Sequence, residues 1–295
     1  MFRVLVTGGT GMVGKHLKKV MPNAIFVGSA DCDLTDITQV RRLMSSCAPR
    51  TVVHLAAKVG GIQDNIDKAA EYYDDNIIMN TNIVKVCREY DVKRLTGVLS
   101  TCAYPNVSDN YPMTEKDLFS GPPAPTNFSY GYTKRALAVQ IDSYNKQYDT
   151  KYNYIIPCNL YSELDNFDND KKMHFVTALL KKIKLADDSV DLLGTGSPLR
   201  QFMYAGDLAE IIVRIIQSDV TKSFNVAPDY NYSINEIASM ALMVAGKDCE
   251  IKYSQPHLDG QHRKDVSSEL LMSLFPDFKF TDLKEGMRRV YEIIC

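Results

Sequence analysis

Short apolar runs alternate with helical stretches through the first half of the chain. Val4–Val6, Ile25–Val27, Thr51–Leu55, Leu95–Leu99 and Tyr154–Ile156 are brief and nearly continuous in their apolar character. Strands buried on both faces read this way. Between them, Lys15–Val20, Ile37–Met44, Asn65–Tyr90 and Tyr130–Tyr148 carry apolar residues at helical spacing. Strand alternating with helix predicts an α/β fold, a doubly wound parallel sheet of Rossmann type with right-handed crossovers. Past Pro157 the alternation loosens. Lys171–Leu185 reads as a helix, Asp191–Leu193 as a short strand and Ser218–Asn225 as a return toward the sheet. Ser233 and Glu236 form a capping box ahead of the Ile234–Val244 helix, Glu250–Tyr253 reads as a strand and Asp282–Ile294 as a terminal helix. These runs predict a first domain over 1–163, its sheet completed by parts of 200–230. A smaller interleaved C-terminal lobe over 164–295 would bind the substrate, with the site in the cleft at the strands' carboxyl ends.

Composition narrows the function by exclusion. At 295 residues the chain can bury an extensive core, and its net charge of −2 creates no field that would draw nucleic acid or a membrane surface. No stretch approaches the roughly 18 apolar residues of a membrane span. Seven scattered cysteines form neither C-x-x-C pairs nor a disulfide framework. A reducing cytoplasm fits, and no metal site is expected. The two long helices, with apolar residues such as Ile77, Ile78, Ile83, Val84 and Val86 on the first, are candidates for a two-fold homodimer interface as well as for packing on their own sheet.

Chemistry enters at the first strand. Phe2–Val6 runs directly into Thr7-Gly8-Gly9-Thr10-Gly11-Met12-Val13-Gly14, placing Gly8, Gly11 and Gly14 in a strand–turn–helix context. Such glycines permit the tight turn and let a pyrophosphate approach the helix N-terminus, where the dipole favours negative charge. The second strand ends Gly28-Ser29-Ala30, without the acid that would bind a ribose 2′-hydroxyl. NADP is therefore allowed and mildly favoured over NAD. Asp33-Leu34-Thr35-Asp36 combines an adenine-edge contact with the N-cap of the following helix.

Tyr130 and Lys134, one turn apart, share a helix face. A protonated lysine beside a phenol favours the phenolate, which would lower the tyrosine toward working pH. Ser100, closing the Leu95–Leu99 run, can hydrogen-bond the same substrate oxygen, and Cys102 supplies a second acid/base group. On residue type alone, Cys102 reads as a small buried residue at a strand end and His174 as a helix-entry residue.

Together these segments resemble the extended short-chain dehydrogenase/reductase superfamily. Ala56-Ala57-Lys58-Val59-Gly60-Gly61-Ile62, Leu99-Ser100-Thr101-Cys102-Ala103-Tyr104-Pro105, Asp165-Asn166-Phe167, His174, Arg200-Gln201-Phe202 and Asp259-Gly260-Gln261 narrow the likeness. They are similar to the GDP-4-keto-6-deoxy-mannose 3,5-epimerase/4-reductase family, over essentially the whole chain. The resemblance implies a GDP-sugar substrate and NADPH. It makes Cys102 the base and His174 the acid that invert C3 and C5, while Ser100 and Tyr130 hold the C4 oxygen and Lys134 tunes Tyr130. It places the cofactor against Gly8, Gly11, Met12, Val13, Gly14, Asp33, Leu34, Ala56, Ala57, Tyr130, Lys134, Pro157 and His174. Substrate contacts fall to Asn159, Lys182, Arg200 and Lys264.

The chain departs from the family at two places. Ser162-Glu163-Leu164 stands where Gly-Pro-His is usual, and Thr10 where bacterial members often carry Arg. Other readings are a sugar-nucleotide 4,6-dehydratase, a simple 4-reductase or a non-catalytic NADP-sensing regulator. Thr101-Cys102-Ala103-Tyr104 lacks the carboxylate a dehydratase needs, a simple reductase would not need both Cys102 and His174, and regulators tend to lose the Tyr/Lys pair.

Overall fold

The first five apolar runs become strands in the computed structural model, which describes residues 3–167 and 173–294. In chain order they are β1 (Val4–Thr7), α1 (Met12–Val20), β2 (Ile25–Val27), α2 (Ile37–Cys47), β3 (Thr51–His54), α3 (Ile62–Asp67), α4 (Ala69–Glu89), β4 (Arg94–Val98), α5 (Phe128–Tyr148) and β5 (Lys151–Pro157). The second half adds β6 (Asn159–Tyr161), α6 (Phe175–Leu185), β7 (Ser189–Leu193), β8 (Leu199–Arg200), β9 (Phe202–Tyr204), α7 (Ala205–Gln217) and β10 (Phe224–Val226). The chain closes with β11 (Tyr232–Ser233), α8 (Ile234–Ala245), β12 (Glu250–Ser254), α9 (Glu269–Leu274) and α10 (Leu283–Ile293).

Six strands form one parallel sheet in the order β10-β5-β4-β3-β1-β2. The order reverses between β1 and β3, the switch point at which α/β sheets bind ligands. Register pairs Thr7 with His54 and Val98 with Ile155, so the carboxyl ends of the strands share one edge. Leu5, Val6, Val52, Val53, Ile155 and Ile156 are fully buried in the sheet. They are covered by Leu17 of α1, Met44 of α2, Ile83 and Val84 of α4, Leu137 and Ile141 of α5, and Ile211 and Ile212 of α7. A second interior joins α6, α8 and α10 through Val176, Leu180, Ile183, Ile237, Met287 and Val290. The two interiors interleave in sequence. Val266, Leu271, Phe275 and Phe278, late in the chain, pack in the first.

Local chemistry sets the ends of these elements. The Asp36 carboxylate accepts from the Thr38 amide and starts α2, and Ser233 and Glu236 cap α8 reciprocally. The stretch expected as one helix over 65–90 is two, broken at Lys68. The break follows from α3 being tied down. Asn65 donates to the Gly60 and Gly61 carbonyls, and the Tyr72 hydroxyl reaches back to Asp64. Helix α6 begins at Phe175, with the expected start at Lys171 and the opening Phe2 lying outside the described residues. The apolar side chains of α4 divide. Ile83, Val84 and Val86 enter the core, whereas Tyr73 stays exposed beside Phe128, Tyr132 and Val139 of α5, and Ile78 is exposed as well. Among the described residues no helix is long and apolar enough to cross a membrane.

Candidate active site

The glycine loop is shaped for a ligand that approaches backbone. Gly8 has φ +70°, and a β-carbon there would meet the Ala56 nitrogen at 2.7 Å. That close approach packs the loop against Ala56, which with Ala57 follows β3. A β-carbon on Gly14 would strike the Gly9 and Gly8 carbonyls. Gly11 is the N-cap of α1 and offers no side-chain cap, leaving the amides of the first turn, including those of Met12 and Val13, to an external acceptor. This donor set suits a dinucleotide pyrophosphate. At the tip of β2, Thr10 lies over Gly28, whose amide donates to Asp31 at 2.7 Å. Asp33 is turned into its own loop, accepting from the Thr35 amide and hydroxyl, while Leu34 is buried.

His54 ties this loop to α5, the helix that carries Tyr130 and Lys134. Its Nδ1 lies 2.7 Å from the Thr7 hydroxyl and its Nε2 3.0 Å from Asn80 Oδ1. Asn80 in turn donates to the Thr133 carbonyl, next to Lys134. Complete burial, together with the Lys134 charge, pushes the His54 imidazole down to about 4, so it stays neutral.

Around Cys102 the chain brings together residues from four distant segments. A turn of 3₁₀-helix follows β4, with Ser100 as its cap: the Cys102 amide donates to the Ser100 hydroxyl at 3.2 Å. Lys264 Nζ reaches the Cys102 sulfur at 3.6 Å. Arg200 also faces it, held by the Leu199, Asp259 and His262 carbonyls. Burial alone would raise the thiol. Lys264, hydrogen bonding to Ser100 and Arg200 together outweigh it and bring the thiol below its ordinary value.

Tyr130 and Lys134 share their helix face as expected, with Lys134 Nζ 5.5 Å from the centre of the phenol ring. The electrostatics run opposite to the sequence expectation. Burial, and then the negative charge developing on Cys102, push the Tyr130 phenol up rather than down. Lys134 is pushed down to about 8 by burial and donates to the Val98 carbonyl at 2.7 Å. Its ammonium is committed to backbone and lies above the ring.

His174 sits at the N-cap of α6. Its amide and Nδ1 both meet the Asp165 carboxylate, at 2.9 and 3.0 Å, and the ring is partly exposed. Burial works against the Asp165 charge, but hydrogen bonding to His174 keeps that carboxylate below its ordinary range. Pro157 ends β5, and Asn159, opening β6, donates to the Gln201 carbonyl. Lys182 stands apart from the group around Cys102, on the exposed side of α6, donating to the Asp191 carbonyl on β7.

The divergent Ser162-Glu163-Leu164 turn faces α1. Glu163 accepts from the Tyr204 hydroxyl at 2.8 Å and pairs with Lys19 at 3.5 Å, Ser162 bonds His16 at 2.7 Å, and Lys15 donates to the Leu164 carbonyl. This junction, and Asp165 as the partner of His174, went unassigned in sequence. Only the place of Asp165 at the head of the Asp165-Asn166-Phe167 string pointed toward it.

The model of the NAD dependent epimerase/dehydratase family matches residues 4–227. A curated relative, the GDP-L-fucose synthase of Dictyostelium discoideum, is 33% identical over 97% of this chain and 92% of its own length. The GDP-L-fucose synthase of Sinorhizobium fredii is 31% identical over 98% of this chain and 94% of its own. Among solved structures, the GDP-L-fucose synthetase of Naegleria fowleri bound to NADP superimposes with a TM-score of 0.88 at 30% identity, covering 99% of this chain and 92% of that one.

Proposed function

Because the chain belongs to the NAD dependent epimerase/dehydratase family, we propose that it converts GDP-4-keto-6-deoxy-mannose to GDP-L-fucose with NADPH. The cofactor would rest on the glycine loop and the open first turn of α1, with Thr10 and Gly28 beside the adenosine ribose. When bound, NADPH supplies the hydride for C4.

The residues of the chain perform the rest. A C4 ketone acidifies the protons on C3 and C5. Cys102, its thiol held below its ordinary value, removes them. His174, oriented through Nδ1 by Asp165, returns a proton from Nε2. Ser100 and Tyr130 hold the C4 oxygen as negative charge develops there. The upward push on Tyr130 suits this role, because a phenol that stays protonated can donate to the alkoxide formed on reduction. Arg200 and Lys264 bring positive charge toward the diphosphate end of the cleft, Asn159 adds a polar contact, and Lys182 would have to leave the Asp191 carbonyl to join them.

The observation that carries this reading is the half-buried Cys102 sulfur standing between Ser100, Arg200 and Lys264 beside the Tyr130/Lys134 pair. A 4-reductase alone would have no use for that thiol or for the His174–Asp165 pair. The test is Cys102→Ser in deuterated water. Deuterium incorporation at C3 and C5 should stop while NADPH still binds, and NMR of the native product should show the L-fuco configuration. Unchanged exchange in the variant would refute Cys102 as the base.

The exposed apolar side chains of α4 and α5, Tyr73, Ile78, Phe128 and Val139, support a homodimer through these two helices. The six cysteines among the described residues are free, which supports work in a reducing cytoplasm. Phe128→Glu with Val139→Glu should convert the dimer to monomer in sedimentation.

A further inference from the structure

We propose that Lys264 is the positioning residue for the Cys102 sulfur: a buried ammonium, brought in from the far end of the chain, that holds the sulfur as an anion aimed at the sugar carbon it deprotonates. The inference deepens the reading of Cys102 as the base and rests on it. It also moves Lys264 away from a simple contact to the substrate diphosphate.

The delivery of Lys264 is built into the fold. Residues 261–268 form an extended strap that leaves the second interior and runs back along the first. Gln261 donates to the Pro105 and Asn106 carbonyls, just beyond the Cys102 turn. Arg263 bridges to Leu199 in the backbone, ion-pairs with Asp265 at 2.7 Å, and offers its carbonyl to the Tyr111 hydroxyl. Val266 donates to Gln201 Oε1 and bridges to Met113. The Ser268 hydroxyl accepts from the Ala227 amide. Lys264 is thus held in the backbone on both sides, by Arg263 and by Val266. It is 9% exposed, and its Nζ meets the sulfur at 3.6 Å.

Other cations near the thiol are already engaged. Lys134 donates to the Val98 carbonyl, and the Arg200 guanidinium is divided among the Leu199, Asp259 and His262 carbonyls. Tyr130 and Ser100 complete the groups facing the sulfur, and Cys158 faces Lys264 from β5's end with its own thiol driven up by burial. Burial likewise works against the Lys264 charge, and Cys102 is the largest influence that restores it. Each member of the pair therefore favours the charged form of the other, as expected for opposite charges in close contact.

The experiment reads the thiol without substrate. In a Cys47→Ser/Cys295→Ser background, thiolate absorbance near 240 nm is titrated for the native residue, Lys264→Met and Lys264→Arg, with NADPH binding reporting that each is folded. The midpoint of Cys102 should rise by about 1–3 pH units in Lys264→Met, return most of the way in Lys264→Arg, and carry the pH profile of C3/C5 deuterium exchange with it. A midpoint that stays in place while KM for the GDP-sugar rises would overturn the proposal and return Lys264 to the diphosphate. Should Lys264→Met not fold, Lys264→Gln keeps a polar head on a shorter stem and reads the same midpoint. Absence of exchange in the native enzyme would count against the epimerase reading alone, since the titration does not depend on it.

Discussion

His54 offers a test in which sign and size both follow from the site. The imidazole is fully enclosed, accepts at Nδ1 from Thr7 and donates from Nε2 to Asn80, whose own amide is committed to the Thr133 carbonyl. A second positive charge beside Lys134, in a fully buried site, is what protonation would create. Burial and that charge hold His54 at about 4 in the folded chain, against 6.5 for the free group. The unfolded chain therefore takes up a proton first as pH falls. Above 6.5 neither state carries it, and the contribution is constant. Between 6.5 and about 4 only the unfolded state gains the proton, so stability falls by ~1.4 kcal/mol per pH unit. Below about 4 the loss levels off, at roughly 3 kcal/mol in all. Between pH 7 and pH 5 the share is roughly 2 kcal/mol, about 0.7 M in the urea midpoint for a slope near 3 kcal/mol/M. His54→Gln removes this group while leaving the other titrating residues. The variant should be less stable at pH 7 but should lose roughly 2 kcal/mol less than the native chain on acidification to pH 5. Nitrogen-15 shifts of the native ring should report the neutral Nε2–H tautomer down to pH 5. Parallel pH dependence in the two proteins, or an imidazolium signal at pH 6, would refute the reasoning.

Three further outcomes follow from the same geometry. Tyr130→Phe should slow reduction by about 10²–10⁴-fold, the usual value of a positioned proton donor, while C3/C5 exchange into deuterated water continues; equal loss of both in a stopped assay would show that Tyr130 serves the epimerisation too. Asp165→Asn removes the carboxylate that accepts two bonds from His174, and exchange should fall about ten- to hundredfold, the worth of one charge-assisted hydrogen bond, with KM nearly unchanged. Glu163→Gln breaks its bond to Tyr204 and its pairing with Lys19, and should cost roughly 2 kcal/mol by urea denaturation. Burial works against the Glu163 charge, but Tyr204, its own backbone, His16 and Lys19 leave it below the ordinary value. Its contribution is thus present above the usual glutamate range and fades as pH falls through the lower folded value, so a Gln variant whose deficit persists undiminished at pH 3 would contradict the charge assignment.

Periodicity exposed the sheet because the strands are buried on both faces, and a run such as Val52-Val53 has no other stable place. The glycine loop was equally legible, since Gly8 has a positive φ and Gly14 leaves no room for a β-carbon. Helix spacing placed Tyr130 above Lys134 but could not give the direction of their electrostatics. That direction depends on the Val98 carbonyl, 36 residues earlier, which takes the lysine's proton donor, and on burial that spacing does not reveal. The continuous helix expected over 65–90 failed for a similar reason: Tyr72 and Asp64 join across the break through side chains, a contact that apolar periodicity does not register. Glu163 stood out as a departure from the family, yet its partners on α1 lie more than 140 residues before it, and only the closed fold turns it from the substrate toward that helix.

The same dependence on distant residues is strongest at Cys102. Its sulfur is pushed up by burial and pulled down by cations, and the balance depends on which cations remain uncommitted. Lys134 and Arg200 are held by backbone carbonyls, whereas Lys264, separated from Cys102 by 162 positions, keeps its ammonium on the sulfur. A residue's chemistry can be named from the sequence at position 102. The largest pull on its acidity comes from position 264, on a strap whose course no local pattern announces. In this fold the thiol and the ammonium beside it are brought together by the 261–268 strap packing along the first interior, so mutations along 261–268 should alter the acidity of the thiol before they alter the binding of the cofactor.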